Sequence, residues 1–106
     1  MTLFVLEHPE SWERFVRVVE TLPRDKSDLA VLIRGGGVTR CLRCEPGLFP
    51  HFRQFVLDGG RAFVCVRSLR DFGLPETRPP DLFERVPDGE ELIREYSARG
   101  YTVERL

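Results

Sequence analysis

The chain has 106 residues, of which 42% are hydrophobic and 31% charged, and its formal net charge is −1 with a sequence pI of about 6.1. This length predicts one domain over residues 1–106, and the balance of apolar and charged residues excludes a disordered chain. The near-neutral charge argues against a nucleic-acid partner, and the apolar run from Leu3 to Leu6 is too short for a signal segment or a membrane span. We therefore expect a cytoplasmic protein without a membrane partner, in which the three cysteines are mostly reduced thiols.

The first third of the chain predicts two strands with a helix between them. An apolar strand at Thr2–Leu6 is followed by a helix entry at His8–Ser11, where a proline is tolerated. Apolar residues then recur at helical spacing, and these are Trp12, Phe15, Val16, Val19 and Leu22. Pro23 ends that helix, and the continuous apolar run Leu29–Ile33 is typical of a strand that is covered on both faces.

The middle of the chain begins with three glycines, Gly35, Gly36 and Gly37, which break the second strand. The segment Val38–Cys44 that follows predicts a loop, with a short strand or turn as the alternative. Phe49–Leu57 carries phenylalanines on one side and predicts a second helix, which ends at Gly59 and Gly60.

The last part of the chain predicts three further strands. The first is Ala62–Val66, followed by a short helix over Ser68–Phe72 that Ser68 begins and Gly73 ends. Leu82–Val86 is the next strand, and the Asp88-Gly-Glu-Glu sequence after it is close to a capping box that opens a last helix. Tyr101–Glu104 predicts the fifth strand.

Five strands separated by helical segments imply crossover connections between parallel strands. The predicted fold class is therefore α/β, a three-layer α/β/α sandwich with a five-stranded, mostly parallel sheet. Ligands and chemistry collect beyond the carboxyl ends of the strands in such sheets. The residues at these ends are Glu7 and His8, Arg34 to Gly37, Arg67 and Ser68, and Pro87 and Asp88.

Cys65 is the main candidate for chemistry, because it lies near the end of the third predicted strand and just before a short helix. The partial positive charge of a helix N-terminus stabilises a thiolate, and Arg67 and Arg70 would add to that effect. The alternative is simple packing, since cysteine is among the residue types most often buried.

The segment Phe63–Leu74, which reads FVCVRSLRDFGL, resembles the cysteine segment of the DsrE/DsrF/TusD-like family. In that family a strand ends in a cysteine, two residues follow, and then come a small residue, a leucine and a short helix that closes at a glycine. The glycine-rich turn with Val38 and the ending at Gly100-Tyr101 are also similar, whereas Val66 and Arg67 replace smaller or amide residues found in many relatives. The resemblance implies a five-stranded parallel α/β/α fold, oligomers and, in some members, a persulfide on the cysteine that matches Cys65.

With this resemblance included, we predict a small sulfur-handling protein. Cys65 would act as a sulfurtransferase-like persulfide carrier, with no cofactor and no metal, and would pass its sulfur to the thiol of a sulfur-relay partner. His8 is placed as a general base, and the glycine run with nearby arginines as an anion nest. The predicted substrate-binding residues are Arg67, Ser68, Arg70, Gly35, Gly36, Gly37 and His8. The alternative is a non-catalytic oligomeric or small-ligand binding module of the same fold.

Cys41 and Cys44 form a C-x-x-C pair in the predicted loop. A redox pair should open a helix directly after a strand, and a zinc site would require Cys65 and His51 to converge on the pair. The leading interpretation is therefore two incidental thiols, with a reversible disulfide and a metal site as alternatives.

Aromatic content predicts an assembly. Eight phenylalanines and one tryptophan are many for a core of this size, and a leftover apolar patch usually marks an interface. We therefore expect a homo-oligomer, a dimer or a trimer, with interface candidates at Phe49–Phe55 and in the loop from Phe72 to Phe83.

Overall fold

The computed structural model describes residues 1–42 and 47–106, and at residues 41 and 42 it describes the backbone alone. The strands are β1 (Thr2–Leu6), β2 (Leu29–Ile33), β3 (Arg61–Cys65), β4 (Phe83–Val86) and β5 (Thr102–Arg105). The helices are α1 (Ser11–Glu20), α2 (Phe49–Leu57), α3 (Val66–Asp71) and α4 (Gly89–Ala98), and a 3-10 segment spans Gly35–Leu42. No helix in the described part of the chain is long and apolar enough to cross a membrane.

The five strands form one sheet in the order β4-β3-β2-β1-β5, and every pairing is parallel. The register aligns Leu6 with Ile33 and Cys65 with Val86, so the carboxyl ends of neighbouring strands reach the same edge. Helices cover both faces of the sheet, which confirms the predicted three-layer α/β/α sandwich.

One face of the sheet, here called the aromatic face, is covered mainly by α1 and α2, and Leu69 of α3 and Val38 of the 3-10 segment belong to the same core. Trp12 and Phe15 of α1 meet Phe52 and Phe55 of α2 over Phe4, Val31 and Val64 of the sheet. The rings of Phe15 and Phe52 stack with their centroids 4.9 Å apart, and the Trp12 indole donates a hydrogen bond to the Gly37 carbonyl at 3.0 Å. The helical spacing of the apolar residues in α1 and α2 thus produces this core directly.

The opposite face, here called the α4 face, is covered by α4, the one helix over it in the described part of the chain. Leu92, Ile93 and Tyr96 of α4 pack over Leu3, Leu32, Phe63 and Cys65 of the sheet. The Asp88 carboxylate caps α4 by accepting a hydrogen bond from the Glu90 N–H at 3.0 Å, as the sequence predicted. The third layer of the sandwich is therefore a single helix of 10 residues.

The boundary between β3 and α3 differs from the prediction. The strand ends at Cys65 instead of Val66, and the helix begins at Val66 instead of Ser68. The cap of α3 is the thiol of Cys65, which accepts a hydrogen bond from the N–H of Ser68, the residue we had predicted to be the cap. Val66 has a β-branched side chain, but its backbone already turns into the helix, which local strand preference does not anticipate.

The segment after β2 also differs from the predicted loop. The glycine run opens the 3-10 segment Gly35–Leu42, which passes close to the end of β1. A Cβ atom added at Gly37 would lie 2.6 Å from the Leu6 carbonyl oxygen, so only glycine fits there. The rest of the predicted segment, including Cys44, lies outside the described residues.

Candidate functional site at the carboxyl edge of the sheet

Cys65 lies at the carboxyl end of β3 with its side chain on the α4 face, and only 2% of the residue is exposed. Its Sγ accepts a hydrogen bond from the N–H of Gly89 at 3.2 Å and another from the N–H of Ser68 at 3.4 Å. Gly89 opens α4 and Ser68 belongs to the first turn of α3. Two backbone donors from two different helices therefore converge on one sulfur atom.

Gly89 allows α4 to approach this closely. A Cβ atom added at Gly89 would lie 3.2 Å from Cδ2 of Leu32, 3.4 Å from Cβ of Cys65 and 3.5 Å from Cδ of Arg34. The absence of a side chain at this position lets the first turn of α4 rest directly on the sulfur. The Arg34 side chain and Cys65 both lie next to Gly89 at this position.

Arg34 ties the first turn of α4 to the sheet. It follows β2, and its Nη2 contacts Oε1 of Glu90 at 2.9 Å while its Nη1 donates to Oε1 of Glu7 at 3.2 Å. The Arg34 side chain is 23% exposed, so this pairing is better shielded from solvent than a free surface ion pair. Glu7 in turn pairs with Arg105 at the end of β5. The carboxyl ends of β1, β2 and β5 and the start of α4 are thus linked by one set of charges.

Ser68 and the glycines belong to the same region but already use their polar groups. The Ser68 hydroxyl accepts a hydrogen bond from the Gly35 N–H at 2.9 Å, and the Gly37 N–H donates to the carbonyls of Glu7 and Arg34 at 3.1 Å. The predicted anion nest at Gly35, Gly36 and Gly37 therefore has two of its three amides engaged within the chain.

The predicted cationic residues around Cys65 are well exposed. Arg67 is paired with Asp88 at 3.5 Å and Arg70 with Glu76 at 3.2 Å, with 70% and 73% of their side chains exposed. His8 is also exposed and lies just after β1, two strands away from β3 in the sheet. The structure thus brings Ser68 to Cys65 directly, and places the other predicted residues around the same edge.

The C-x-x-C pair can be placed only in part. The backbone of Cys41 belongs to the 3-10 segment, and Cys44 lies outside the described residues. His51 is on α2, which covers the aromatic face, whereas Cys65 lies on the α4 face, so these two side chains do not converge. Within residues 1–42 and 47–106, no group of three or more His, Cys, Asp and Glu side chains could hold a metal ion.

A shallow cleft of about 260 Å³ flanks the buried thiol. Its lining includes Val66, directly after Cys65, and Pro87, whose carbonyl accepts a hydrogen bond from the Arg67 N–H at 3.2 Å. Arg70, Glu76 and Arg85 complete the wall. The residues that line this cleft do not include Cys65, so the cleft lies against the outer side of α3 and the buried sulfur is not exposed in it.

The order of the strands reverses at β1, because β2, β3 and β4 lie on one side of it and β5 on the other. Ligands of parallel sheets usually bind where the strand order reverses. In this chain that point lies between β1 and β5, where Glu7 pairs with Arg105. Arg34 is adjacent to this point and connects it to the Cys65 region through Glu7 and Glu90.

Sequence reasoning missed Arg34, Glu7, Gly89 and Glu90 as a group. Their positions at strand ends and after the α4 cap were visible, and Gly35 to Gly37 drew attention to the same edge. The pairing itself could not be read from the sequence, because the four residues come from three separate segments that only the sheet order brings together.

Comparison with known proteins gives structural likeness alone. No family model matches the chain, and no curated protein matches it. A solved protein of unknown function from Methanobacterium thermoautotrophicum is similar with a TM-score of 0.79 and 19% identity, covering 99% of this chain and 97% of its own. A second one, from Bacteroides thetaiotaomicron, is similar with a TM-score of 0.73 and 11% identity, covering 99% of this chain and 94% of its own. At these identities the likeness establishes the fold and carries no function.

Proposed function

We propose that this chain is a small sulfur-handling protein in which Cys65 carries sulfane sulfur as a persulfide. The observation that supports the proposal most is that Sγ of Cys65 accepts two backbone hydrogen bonds, one from the N–H of Gly89 and one from the N–H of Ser68. Both N–H groups point at the sulfur atom that would attack a sulfur donor, and such an exchange takes place at sulfur alone. The resemblance of Phe63–Leu74 to the DsrE/DsrF/TusD-like cysteine segment supports the same assignment.

The chemistry needs no resident cofactor. With thiosulfate as the donor, the Cys65 thiolate attacks the outer sulfur, the bond between the two donor sulfurs breaks, and sulfite leaves with the electron pair. With a low-molecular-weight persulfide as the donor, the leaving group is that donor's thiolate. Transfer to a relay partner is the same exchange in the opposite direction, with the partner's thiolate attacking the terminal sulfur on Cys65.

Burial of Cys65 favours the second candidate, a non-catalytic oligomeric or small-ligand binding module of the same fold. At 2% exposure, the sulfur cannot meet a protein partner in the closed conformation. Sulfur transfer therefore requires the first turn of α4 to move away from the thiol. A thiol that never becomes accessible would leave Cys65 as a packing residue with a helix-capping role.

Mass spectrometry tests the proposal in a variant with Cys41→Ser and Cys44→Ser, so that Cys65 is the remaining thiol. Incubation with cysteine persulfide, followed by removal of excess reagent, should add the mass of one sulfur atom, and reduction should remove it. The matched control carries Cys65→Ser in addition and should add nothing. A folded variant with Cys65 that stays unmodified would contradict the proposal and favour the binding module.

The chain's assembly and location belong to the same proposal. We propose a cytoplasmic homo-oligomer, a dimer or trimer. The aromatic surplus supports it less than expected, because Phe52, Phe55 and Phe83 are buried within the chain. Of the large apolar side chains exposed in the described part of the chain, which are Met1, Leu57 and Phe72, Phe72 is the one within a predicted interface segment, and it is 49% exposed. Sedimentation at micromolar concentration should give a mass of two or three chains, and a mass near 12.3 kDa would contradict the assembly.

A further inference from the structure

We propose that Arg34 couples the binding of an oxyanionic sulfur donor, of the thiosulfate type, to the exposure of Cys65. The sulfonate end of the donor replaces Glu90 on the Arg34 guanidinium, and the first turn of α4 is thereby released from the thiol. The inference rests on the proposed sulfur chemistry of Cys65 for its biological meaning, but the anion-coupled opening can be measured without that chemistry.

The first step of the argument is that Arg34 holds the turn that covers the thiol. Glu90, its partner at 2.9 Å, directly follows Gly89, whose N–H donates to Sγ of Cys65 at 3.2 Å. A displacement of Glu90 therefore acts on the Gly89 contact next to it. The second donor to the sulfur, the Ser68 N–H, belongs to α3 and does not depend on Arg34, so the thiol keeps part of its support when α4 moves.

The second step is that Glu90 satisfies the Arg34 guanidinium incompletely. Nε and Nη2 point along one edge of a guanidinium and form a fork that matches two oxygens of one anion. Glu90 contacts Nη2, whereas Nε is buried and without a hydrogen-bond partner, the one such side-chain nitrogen or oxygen in the described part of the chain. A sulfonate presents three oxygens and can engage both members of the fork.

The third step concerns where the donor would lie. Cδ of Arg34 and Cβ of Cys65 are both next to the point that a Gly89 side chain would occupy. An oxyanion held on the Nε side of Arg34 therefore lies close to the thiol once the turn has moved. The sulfane sulfur of a thiosulfate, one bond away from its sulfonate sulfur, can then be attacked by Cys65.

The fourth step is that Glu90 is replaceable while Glu7 is not. Glu90 has 44% of its side chain exposed, so solvent and dissolved anions reach its pair with Arg34. Glu7 is 29% exposed and is also bound by Arg105, so it stays on Nη1 and keeps Arg34 oriented. A dissolved oxyanion thus competes with the half-exposed Glu90 carboxylate for the Arg34 guanidinium.

The test measures how fast Cys65 reacts with the uncharged disulfide 4,4′-dithiodipyridine in the Cys41→Ser and Cys44→Ser background. Sulfate serves as an unreactive oxyanion, and sodium chloride at equal ionic strength accounts for general screening. We expect sulfate to raise the labelling rate in a saturable way by about fivefold, the factor that corresponds to an ion pair of roughly 1 kcal/mol.

Three variants separate the roles of the residues. Glu90→Gln removes the competing carboxylate, so Cys65 should label fast without sulfate. Arg34→Lys keeps a positive charge but lacks the fork, so labelling should lose its saturable response to sulfate. Glu84→Gln breaks the more exposed pair of Arg61 and Glu84 on the same face and should leave both the rate and the sulfate response unchanged.

A sulfate effect that is absent, or that is equally large in Arg34→Lys, would overturn the inference. Loading from cysteine persulfide, which carries no sulfonate, decides the proposed function separately. Loss of thiosulfate loading in Arg34→Lys, with cysteine persulfide loading retained, would support Arg34 as the residue that selects the donor. Equal loading of that variant from both donors would contradict this selection.

Discussion

The two faces of the sheet differ in how they are covered. The aromatic face carries α1 and α2, with Leu69 of α3 in the same core. Its rings interlock, with centroid distances of 4.8 Å between Trp12 and Phe52 and 5.7 Å between Phe52 and Phe83. In the described part of the chain the α4 face carries one helix, whose first turn begins with a glycine and lies directly against Leu32, Arg34 and the Cys65 thiol. One face is therefore built for packing, and the other has an end that can separate from the sheet.

This difference indicates that the aromatic face supplies most of the stability, whereas the carboxyl end of the α4 face can open locally. Local opening requires a segment with few buried apolar contacts, because each such contact adds to the free energy of opening. Pro87 to Glu90 meets this condition, since the exposed Pro87 is its one apolar side chain and hydrogen bonds and ion pairs join the segment to Arg34, Cys65 and Arg67. The core of α4, at Leu92, Ile93 and Tyr96, stays packed when the turn moves.

The largest effect is expected from Phe52→Ala on the aromatic face. Phe52 is 1% exposed and contacts the rings of Trp12, Phe15 and Phe83, so its loss leaves a cavity that these rings cannot fill. We expect the free energy of unfolding to fall by about 3–5 kcal/mol, as measured by urea denaturation.

Leu57→Ala on the same helix is the matched control for this substitution. Leu57 is 67% exposed, so we expect a change within about 0.5 kcal/mol. If Phe52→Ala and Leu57→Ala lowered stability equally, the aromatic face would not be the main source of stability.

An intermediate effect is expected from Gly89→Ala on the α4 face. The added Cβ would lie 3.2 Å from Leu32 and 3.4 Å from Cys65, so the first turn of α4 must move outward by a few tenths of an ångström. We expect a loss of about 1–2 kcal/mol in stability together with faster labelling of Cys65.

Gly47→Ala provides the comparison for Gly89→Ala, because a Cβ atom at Gly47 would meet no atom of the described residues within 4 Å. It should change neither the stability nor the labelling rate. A Gly89→Ala variant whose Cys65 labels at the parent rate would show that the first turn of α4 does not control access to the thiol.

The smallest effect is expected from Glu84→Gln, at the opposite end of the α4 face. Arg61 contacts Glu84 at 2.8 and 3.1 Å, and this hydrogen bonding raises the pKa of Arg61. Both side chains are about half exposed, so the loss should be about 0.2–1 kcal/mol in thermal or urea unfolding. A larger loss would mean that the α4 face depends on its ion pairs more than on its apolar core.

Local patterns predicted most of the fold. The strands Thr2–Leu6 and Leu29–Ile33 and the helix Phe49–Leu57 occur with the predicted bounds, because apolar runs and helical spacing decide them within the segment itself. The start of α3 was misplaced by two residues, and the glycine run entered a 3-10 segment instead of a loop. Both errors lie where the chain turns against other strands, so the local sequence does not contain the deciding contacts.

Local sequence likewise identified some residues of the candidate site and not others. Position in the chain and resemblance identified Cys65 and Ser68, because a cysteine that ends a strand before a helix is a local feature. Gly89 and Glu90 were missed as site residues, and Arg34 was noted at a strand end beside the glycine run but not as the partner of Glu90. Their importance comes from the contact of α4 with the end of β2, two elements that are more than 50 residues apart in sequence.

The sequence alone determined the alternation of strands and helices, the apolar faces of α1, α2 and α4, and the place of a thiol at a strand end. The reason is that periodicity and capping act over distances of a few residues. Only the tertiary structure decided that Gly89 and Ser68 both donate to Cys65, that α4 covers the face of the sheet on which Cys65 lies, and that Arg34 connects the first turn of α4 to the sheet. These contacts depend on strand order and register, which bring distant segments to the same edge of the sheet.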